Sequence, residues 1–203
     1  MKQGIIKVTF LGESTTGKST IAKRIVHNEF KDTEDSTIGA AFLTLKTDSV
    51  RLDIWDTGGQ ERYLALCGMY YRNTDIFLLV FDVNNLSTID RLKYYIDKIQ
   101  KEIVCEYNVI VVGNKMDLIK ESELDSIDKI VRNKLACETI IDKIEFIYLS
   151  AKNGYNCLEF LNKIIQLGQQ IDEKRSLIVK NQIINLYKKT DGELVKSVNN
   201  CSC

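Results

Sequence analysis

The feature that most constrains this chain is a glycine-bearing octapeptide near its N-terminus. It reads Gly12-Glu13-Ser14-Thr15-Thr16-Gly17-Lys18-Ser19 and fits the pattern G-x-x-x-x-G-K-[ST]. Residues 5–11 before it are apolar and rich in β-branched side chains, which predicts a strand, and residues 21–26 carry apolar side chains at helical spacing. Between a strand and a helix, the N–H groups of such a loop form a cradle for phosphate groups. A chance match is the alternative, and the strand–loop–helix context argues against it.

Two side chains of this loop bring specific chemistry. Lys18 can reach the β- and γ-phosphates of a nucleotide, and the Ser19 hydroxyl can ligate Mg²⁺. We therefore predict that residues 12–20 contact a nucleotide, including Thr20 at the start of the following helix.

Composition narrows the class of protein. The 203 residues, 44% of them hydrophobic, suit one domain with a complete core. Lysine and arginine together number 28, as do aspartate and glutamate, so the net charge is zero and we expect no nucleic-acid surface. No apolar run reaches the roughly 20 residues that a membrane-spanning helix needs. The N-terminal apolar segment leads directly into the glycine loop, so we expect no signal peptide.

The cysteine pattern indicates a reducing compartment. Four cysteines are scattered through the chain without a C-x-x-C pair, namely Cys67, Cys105, Cys137 and Cys157. We interpret them as reduced core thiols of a cytosolic protein. The single histidine, His27, ends the first predicted helix and is expected on the surface.

Apolar runs and helical stripes alternate along the chain. Strands are predicted at 5–11, 42–46, 50–55, 76–81, 109–112 and 146–149. Helical stripes follow at 21–26, 89–99, 124–135 and 158–165, with part of 62–72 also helical and Ser87 as an N-cap. This alternation predicts an α/β fold whose six-stranded, mostly parallel sheet has helices on both faces. Its ligand site then lies at the carboxyl ends of the strands.

The segment after the third predicted strand supplies a carboxylate and a glycine turn. Asp56 ends the strand where it can hold a metal in the Walker-B role, although a lone aspartate there is usually a turn residue. Gly59 leaves its N–H free to approach a terminal phosphate. Gln60 can orient a water for in-line attack, so we predict it as the catalytic residue. A solvated surface glutamine is the alternative.

The segment after the fifth predicted strand is predicted to recognise the nucleotide base. It reads Asn114-Lys115-Met116-Asp117. The Asp117 carboxylate can accept hydrogen bonds from N1–H and the 2-amino group of guanine, both of which adenine lacks. A buried polar group without a partner costs roughly 1–3 kcal/mol, which is enough to select guanine. Ser150-Ala151-Lys152 follows the next strand and completes this side of the site.

Over residues 5–170 these motifs resemble those of Ras-superfamily small GTPases, whose small G domain has the P-loop NTPase fold. Within the superfamily the chain is similar to the Rab family, and most like its early-endosomal branch. The residues that carry this resemblance are Gly12-Glu13-Ser14, Ser36-Thr37-Ile38-Gly39-Ala40-Ala41-Phe42-Leu43-Thr44, Leu52-Asp53-Ile54-Trp55-Asp56, Glu61-Arg62-Tyr63 and Met69-Tyr70-Tyr71-Arg72.

The resemblance implies roles for further residues. Thr37 would ligate Mg²⁺ and touch the γ-phosphate, beside Ser19 and with Asp56 acting through water. Phe30 would pack against the guanine ring. The effector-facing residues would be Ile38, Phe42, Trp55 and Tyr70. Ordinary core packing is the alternative for the three aromatic residues.

The resemblance also implies a monomeric switch that converts GTP and water to GDP and phosphate. No arginine is placed to act in cis, so hydrolysis should be slow without an activating protein. Expected partners are effectors, an exchange factor, a GTPase-activating protein, a GDP-dissociation inhibitor and a prenylation escort. Gly58 stands where the family usually has alanine, and Thr15 is bulkier than usual. These departures leave a GTP-binding scaffold with little hydrolysis as an alternative. A P-loop kinase or ATPase is another, which residues 114–117 argue against.

The C-terminal part differs in character from the rest. We predict a GTPase domain over 1–171 and a variable tail over 172–203. The tail ends in Cys201-Ser202-Cys203, which is similar to the C-x-C ending of Rab proteins and not to a C-a-a-X box. It implies geranylgeranylation of Cys201 and Cys203, and two lipid chains give stable membrane anchoring. We thus expect a role in vesicle traffic at the cytoplasmic side of intracellular membranes, with endosomes as candidates, and cycling with the cytosol.

Overall fold

The computed structural model describes residues 3–32, 35–59, 70–136 and 144–198, with side chains described through residue 180. These residues form six strands and four α-helices. In chain order they are β1 (Gly4–Gly12), α1 (Lys18–His27), β2 (Ala40–Lys46), β3 (Val50–Thr57), β4 (Ile76–Asp82), α2 (Ile89–Glu102), β5 (Asn108–Asn114), α3 (Leu124–Leu135), β6 (Ile144–Tyr148) and α4 (Cys157–Val198). Single 3₁₀ turns occur at Leu86–Thr88, Met116–Leu118 and Glu121–Glu123.

The strands form one sheet in the order β2-β3-β1-β4-β5-β6. Every neighbouring pair is parallel except β2 and β3, which a tight turn over residues 47–49 joins as an antiparallel hairpin. The predicted six-stranded, mostly parallel sheet is therefore confirmed. Parallel neighbours need crossover connections, and helices supply them here. As a result, the carboxyl ends of β1, β3, β4, β5 and β6 all meet at one edge of the sheet.

Helices cover both faces of the sheet, and strand alternation divides the core between them. On β4, Leu78 and Val80 pack in the cluster that includes residues of α1 and α4, while Phe77 and Phe81 pack in the cluster of α2 and α3. Successive side chains of a strand point to opposite faces. A strand buried on both faces therefore needs the continuous apolar sequence seen at 76–81.

The start of α2 differs from the prediction. Ser87 is not an N-cap, because it lies inside the 3₁₀ turn that precedes the helix. The cap of that turn is Asn85, whose side-chain oxygen accepts a hydrogen bond from the Ser87 N–H. Asparagine is as strong a cap residue as serine, and the backbone here places the Asn85 oxygen, and not the Ser87 hydroxyl, at the start of the turn. The stripe of Ile89, Leu92, Ile96 and Ile99 is buried as predicted.

The prediction that the scattered cysteines are core residues is wrong for one of them. Cys157 is buried, but Cys105 is exposed in the connection before β5 and is not a core residue. Both carry free thiols. Cys67 and Cys137 lie outside the described residues. His27 is exposed, as predicted.

The C-terminal helix α4 crosses the predicted domain boundary at residue 171 without interruption. Gly168 packs on Ile6 and Val50, and Asp172 packs on Gly4, where any β-carbon would collide with its carboxylate. The predicted apolar stripe over 158–165 is wrong at its first residue, because Leu158 faces solvent. No helix in the described part of the chain is long and apolar enough to cross a membrane.

Candidate nucleotide-binding site

The loops at the carboxyl edge of the sheet surround a cavity of about 400 Å³. Most of the predicted nucleotide-binding residues line it, namely Ser14, Thr15, Gly17, Lys18, Ser19, Thr20, Phe30, Thr37, Gly59, Asn114, Lys115, Asp117, Ala151 and Lys152. The remaining predicted residues, Gly12, Glu13, Thr16, Asp56 and Ser150, are not among the lining residues. Sequence reasoning missed the lining residues Lys31, Asp32, Asp35, Ser36, Thr57 and Leu118.

The glycine loop between β1 and α1 forms the phosphate end of this cavity. Gly17 has φ 89°, and a β-carbon there would collide with the Asn114 side chain, so only glycine fits. Helix α1 begins at the next residue, with its N-terminus at the cavity. The Lys18 ammonium is buried and donates hydrogen bonds to the carbonyls of Gly12 and Glu13, at 3.1 and 2.8 Å. A bound phosphate would meet backbone N–H groups and this ammonium together.

Gly59 lies directly against the phosphate loop. A β-carbon on Gly59 would lie 2.6 Å from the Lys18 Nζ and would also overlap the Ser14 N–H. Gly59 therefore packs so closely on the phosphate loop that a larger residue would not fit there. Thr57, which the sequence reading missed, donates its hydroxyl to the Phe10 carbonyl at 2.7 Å and ties the end of β3 to β1.

The three predicted metal ligands lie together. The Ser19 and Thr37 hydroxyl oxygens are 2.8 Å apart, and both interact with the Asp56 carboxylate. Burial raises the pKa of Asp56, while hydrogen bonds with Ser19 and Thr37 and the charges of Lys18 and Lys23 oppose that shift. Asp56 Oδ1 is buried and has no hydrogen-bond partner among the described residues.

This donor set fits Mg²⁺, which prefers oxygen ligands and usually takes only one or two carboxylates from the protein, with phosphates and water completing the shell. Among the described residues there is no group of three or more His, Cys, Asp or Glu side chains that could hold a metal ion. One carboxylate and two hydroxyl groups would leave the rest of a Mg²⁺ shell to phosphates and water.

Asn114 connects the phosphate end to the base end. Its side-chain amide donates to the Thr16 carbonyl at 2.9 Å and accepts from the Ala151 N–H at 3.1 Å. Because Asn114 is almost fully buried, these bonds join the phosphate loop, the end of β5 and the loop after β6. Lys115 pairs with Asp82 at 2.6 Å at the end of β4.

The predicted guanine-reading carboxylate, that of Asp117, also lines the cavity. Asp117 accepts a hydrogen bond of 2.5 Å from the Ser150 hydroxyl, which fixes one of its oxygens. Ser150 is itself buried. The pair therefore orients the carboxylate toward the cavity that Asp117 lines.

Arg24 is a residue of this site that sequence reasoning missed. Its guanidinium donates to the Ala151 carbonyl at 2.8 Å and to the Lys152 carbonyl at 2.9 Å, and a third bond of 3.1 Å reaches the Asn28 carbonyl. It also lies 5.9 Å from the ring of Phe30. A basic residue in the last turn of a helix is common, so no sequence signal marked Arg24.

Thr15 has an unusual backbone for its type. Its φ is 64°, in the left-handed region, although it is β-branched. Such residues are rarely found there because the branched side chain crowds the backbone. The departure at residue 15 therefore places conformational strain in the phosphate loop.

The aromatic residues predicted to face effectors form one contiguous group. The Phe42 and Trp55 ring centroids are 5.2 Å apart, and those of Trp55 and Tyr70 are 5.7 Å apart. Phe42 is 50% exposed and Ile38 is 80% exposed. Full core packing, the alternative for this aromatic triad, therefore does not describe Phe42. Gln60, Glu61, Arg62, Tyr63, Met69, Cys201 and Cys203 lie outside the described residues.

Fold and site together define a P-loop nucleotide-binding domain with a base pocket suited to guanine. The family model described as "Ras family" matches residues 7–170. The chain is 33% identical to the GTP-binding protein YPT53 of Saccharomyces cerevisiae, over 98% of this chain and 94% of that protein. It is 37% identical to the Ras-related protein Rab-5B of Plasmodium falciparum, over 78% of this chain and 75% of that protein.

A third relative is the GTP-binding protein ypt5 of Schizosaccharomyces pombe, 33% identical over 97% of this chain and 93% of that protein. The chain therefore belongs to the Ras family, as a small GTPase of the Rab type. It binds and hydrolyses GTP and acts as a switch in vesicle traffic, in concert with effectors and regulators. Nothing in the described part of the chain favours a scaffold without hydrolysis.

Proposed function

We propose that this chain is a Mg²⁺-dependent GTP switch that docks by two prenyl groups on the cytoplasmic side of endosomal membranes. In its GTP state it would present the aromatic triad and Ile38 to effectors. We also propose that the GTPase domain ends near residue 171 and that residues 172–203 serve as the tail.

The observation that carries this proposal is the arrangement of Ser19, Thr37 and Asp56. Two hydroxyl oxygens 2.8 Å apart face a buried carboxylate whose Oδ1 has no hydrogen-bond partner. A buried polar atom without a partner is costly, so a ligand that satisfies it is expected. When bound, Mg²⁺ supplies charge neutralisation at the β- and γ-phosphates. Thr37 would then hold the loop before β2 in place only while the γ-phosphate is present.

The chain's own residues divide the work of hydrolysis. Lys18 neutralises charge on the phosphates, and Gly59 brings the start of the next loop to the phosphate end. Gln60 orients the attacking water. The described lining of the cavity contains no arginine, which supports slow hydrolysis until an activating protein supplies one in trans.

The remaining partners follow from the same switch. Prenylation of Cys201 and Cys203 would supply the two lipid chains that stable anchoring requires. A prenylation escort, a GDP-dissociation inhibitor and an exchange factor would serve the cycle between membrane and cytosol. The relatives named Rab-5B and ypt5 support the endosomal assignment.

The experiment that tests the proposal is single-turnover hydrolysis of bound GTP, with Mg²⁺ and with EDTA. We expect slow phosphate release that EDTA abolishes and that Gln60→Leu lowers by about 10-fold or more, since water positioning is lost. Asp117→Asn should lose the preference for GDP over adenine nucleotides. It should leave the Mg²⁺ dependence of binding unchanged, because it acts only at the base end.

Two outcomes would contradict this assignment. Phosphate release that is equally fast in EDTA would remove the metal role of Ser19, Thr37 and Asp56. Multiple turnovers per minute by the isolated protein would show that no activating partner is needed.

A further inference from the structure

A network of hydrogen bonds and charged contacts connects helix α4 to Trp55 of the aromatic triad. It begins at Arg175 on α4, whose guanidinium binds both carboxylate oxygens of Asp75, the closer contact being between Nη2 and Oδ1. The Asp75 side chain is only 6% exposed. Arg175 also donates to the Ile5 carbonyl at 3.4 Å. A nearly buried carboxylate therefore relies on a cation carried by the C-terminal helix.

Arg175 marks a definite point along that helix. Among side chains described through residue 180, it makes the last hydrogen bond or ion pair with the rest of the domain. Beyond it, Leu177 and Ile178 are more than half exposed. Arg175 is thus the last polar contact of α4 with the domain among the described side chains, and it precedes the predicted lipid-bearing cysteines in the chain.

The network continues from Asp75 into β1. The Lys7 N–H donates to Asp75 Oδ2 at 2.8 Å, and the Asp75 N–H donates to the Lys7 carbonyl at 2.9 Å. The Asp75 carboxylate also interacts electrostatically with the Lys7 ammonium. Burial lowers the pKa of Lys7, and the negative charge of Asp75 opposes that shift.

The Lys7 side chain ends at the triad. Its ammonium donates to the Arg72 carbonyl at 2.7 Å and lies 5.2 Å from the ring of Trp55. A cation at this distance is attracted by the indole ring. Trp55 is the middle ring of the triad, between Phe42 and Tyr70.

We infer that Arg175 and Lys7 are positioning residues of the aromatic triad, and that they couple the docking of α4 to the effector-facing surface. With Arg175 docked, the Asp75 carboxylate is paired and the Lys7 ammonium stays on Trp55. When α4 withdraws, the nearly buried carboxylate loses that cation, and an unpaired buried charge is costly. The Lys7 ammonium is then drawn toward Asp75 and away from Trp55 and the Arg72 carbonyl.

This inference rests on the proposed function for the meaning of the triad, but its test needs no effector. Trp55 is the only tryptophan of the chain, so intrinsic fluorescence reports on this ring alone. Emission and acrylamide quenching of the full chain with bound GDP would be compared between wild type and Arg175→Gln. We expect a shifted emission maximum and a higher quenching constant in the variant, because Trp55 loses its covering ammonium.

Lys174→Gln is the matched control. Lys174 neighbours Arg175 on the same helix, but its ion pair is with Glu106 at 3.5 Å, and both side chains are exposed. This variant should leave Trp55 fluorescence unchanged. Lys7→Met removes the ammonium and keeps the aliphatic chain, so Arg175→Gln should produce no further shift when added to it. Melting temperatures and circular dichroism would establish that each variant is folded.

Three results would overturn the inference. Folded Arg175→Gln with wild-type fluorescence would show that the triad does not sense the helix. An equal shift in Lys174→Gln would indicate a general effect of the helix surface. An undiminished effect of Arg175→Gln in the Lys7→Met background would exclude the route through Lys7. Effector binding by Phe42 and Tyr70 variants tests the proposed function and not this inference. Whether those variants lose or keep that binding, the fluorescence results stand by themselves.

Discussion

The two ends of the nucleotide cavity are built in different ways. The phosphate end comes mainly from one contiguous loop, residues 12–19, whose backbone and Lys18 face the cavity. The base end is assembled from segments far apart in the chain, and side-chain bonds to backbone groups hold them together. Asn114 joins residues 98 and 37 positions away, and Arg24 joins residues 127 and 128 positions away.

This difference separates two kinds of stability within one site. A contiguous loop needs glycine at a few backbone positions and is otherwise fixed by its neighbouring strand and helix. An assembled wall depends on a few polar side chains, each satisfying several backbone groups at once. Loss of one such side chain leaves buried carbonyls and N–H groups unpaired, at roughly 1–3 kcal/mol each. The base end should therefore be the more sensitive to single substitutions.

The largest effect is expected for Asn114→Ala. The change leaves the Thr16 carbonyl and the Ala151 N–H without their buried partner. We expect GDP release to accelerate by about 100-fold, the equivalent of two unsatisfied groups. Stopped-flow release of a fluorescent GDP analogue measures this rate.

Asn108→Ala is the control for that change, because Asn108 begins the same strand at the edge of the sheet remote from the cavity. It should release GDP at the wild-type rate. If Asn114→Ala also released GDP at that rate, the two ends of the cavity would not depend on each other through this side chain.

A smaller effect is expected for Arg24→Gln. The variant loses two charge-assisted bonds to the loop after β6, but Arg24 is only half-buried. We expect GDP release only about 10-fold faster than in wild type, because solvent at this half-exposed side chain weakens the charged bonds and can replace part of them. The GDP release rate of Arg24→Lys should fall between those of wild type and Arg24→Gln, since lysine keeps the charge but loses the planar guanidinium group.

His27→Gln is the matched control on the same helix turn, where the side chain is exposed. The Mg²⁺ dependence of GDP binding should be the same in wild type and in all three variants, because the phosphate end is untouched. A changed Mg²⁺ dependence in Arg24→Gln would mean that Arg24 acts on the whole site and not on its base end.

The same contrast explains how far the sequence could be read. The strands and the mostly parallel sheet followed from apolar runs that alternate with helical stripes, and the phosphate end followed from a local motif with a fixed spacing. The order of the strands in the sheet emerges only from the fold. Arg24 and Arg175 could not be identified in this way, because their partners lie 100 or more residues away. An arginine on a helix carries the same local pattern whether it meets solvent or a carbonyl. Asn114 was predicted at the site, but its bonds to both loops emerge only from the fold.

The smallest effect is expected at Thr15, in the phosphate end. A β-branched residue with φ 64° is strained, and asparagine tolerates this conformation better. We expect Thr15→Asn to stabilise the GDP-bound protein by about 1 kcal/mol. For a chain of this size the melting temperature would rise by about 2–4 °C. Differential scanning calorimetry at saturating GDP measures the change.

Thr15→Val is the matched variant, because it removes the hydroxyl and keeps the branched β-carbon. If strain is the cause, valine should give no gain, whereas a gain from both substitutions would point to the hydroxyl. Hydrolysis rates of the two variants extend the comparison. If Thr15→Asn is more stable and hydrolyses GTP at the wild-type rate, the backbone strain at residue 15 has no role in hydrolysis. A slower one would mean that the strained loop holds the phosphates in a geometry that a relaxed loop does not reach.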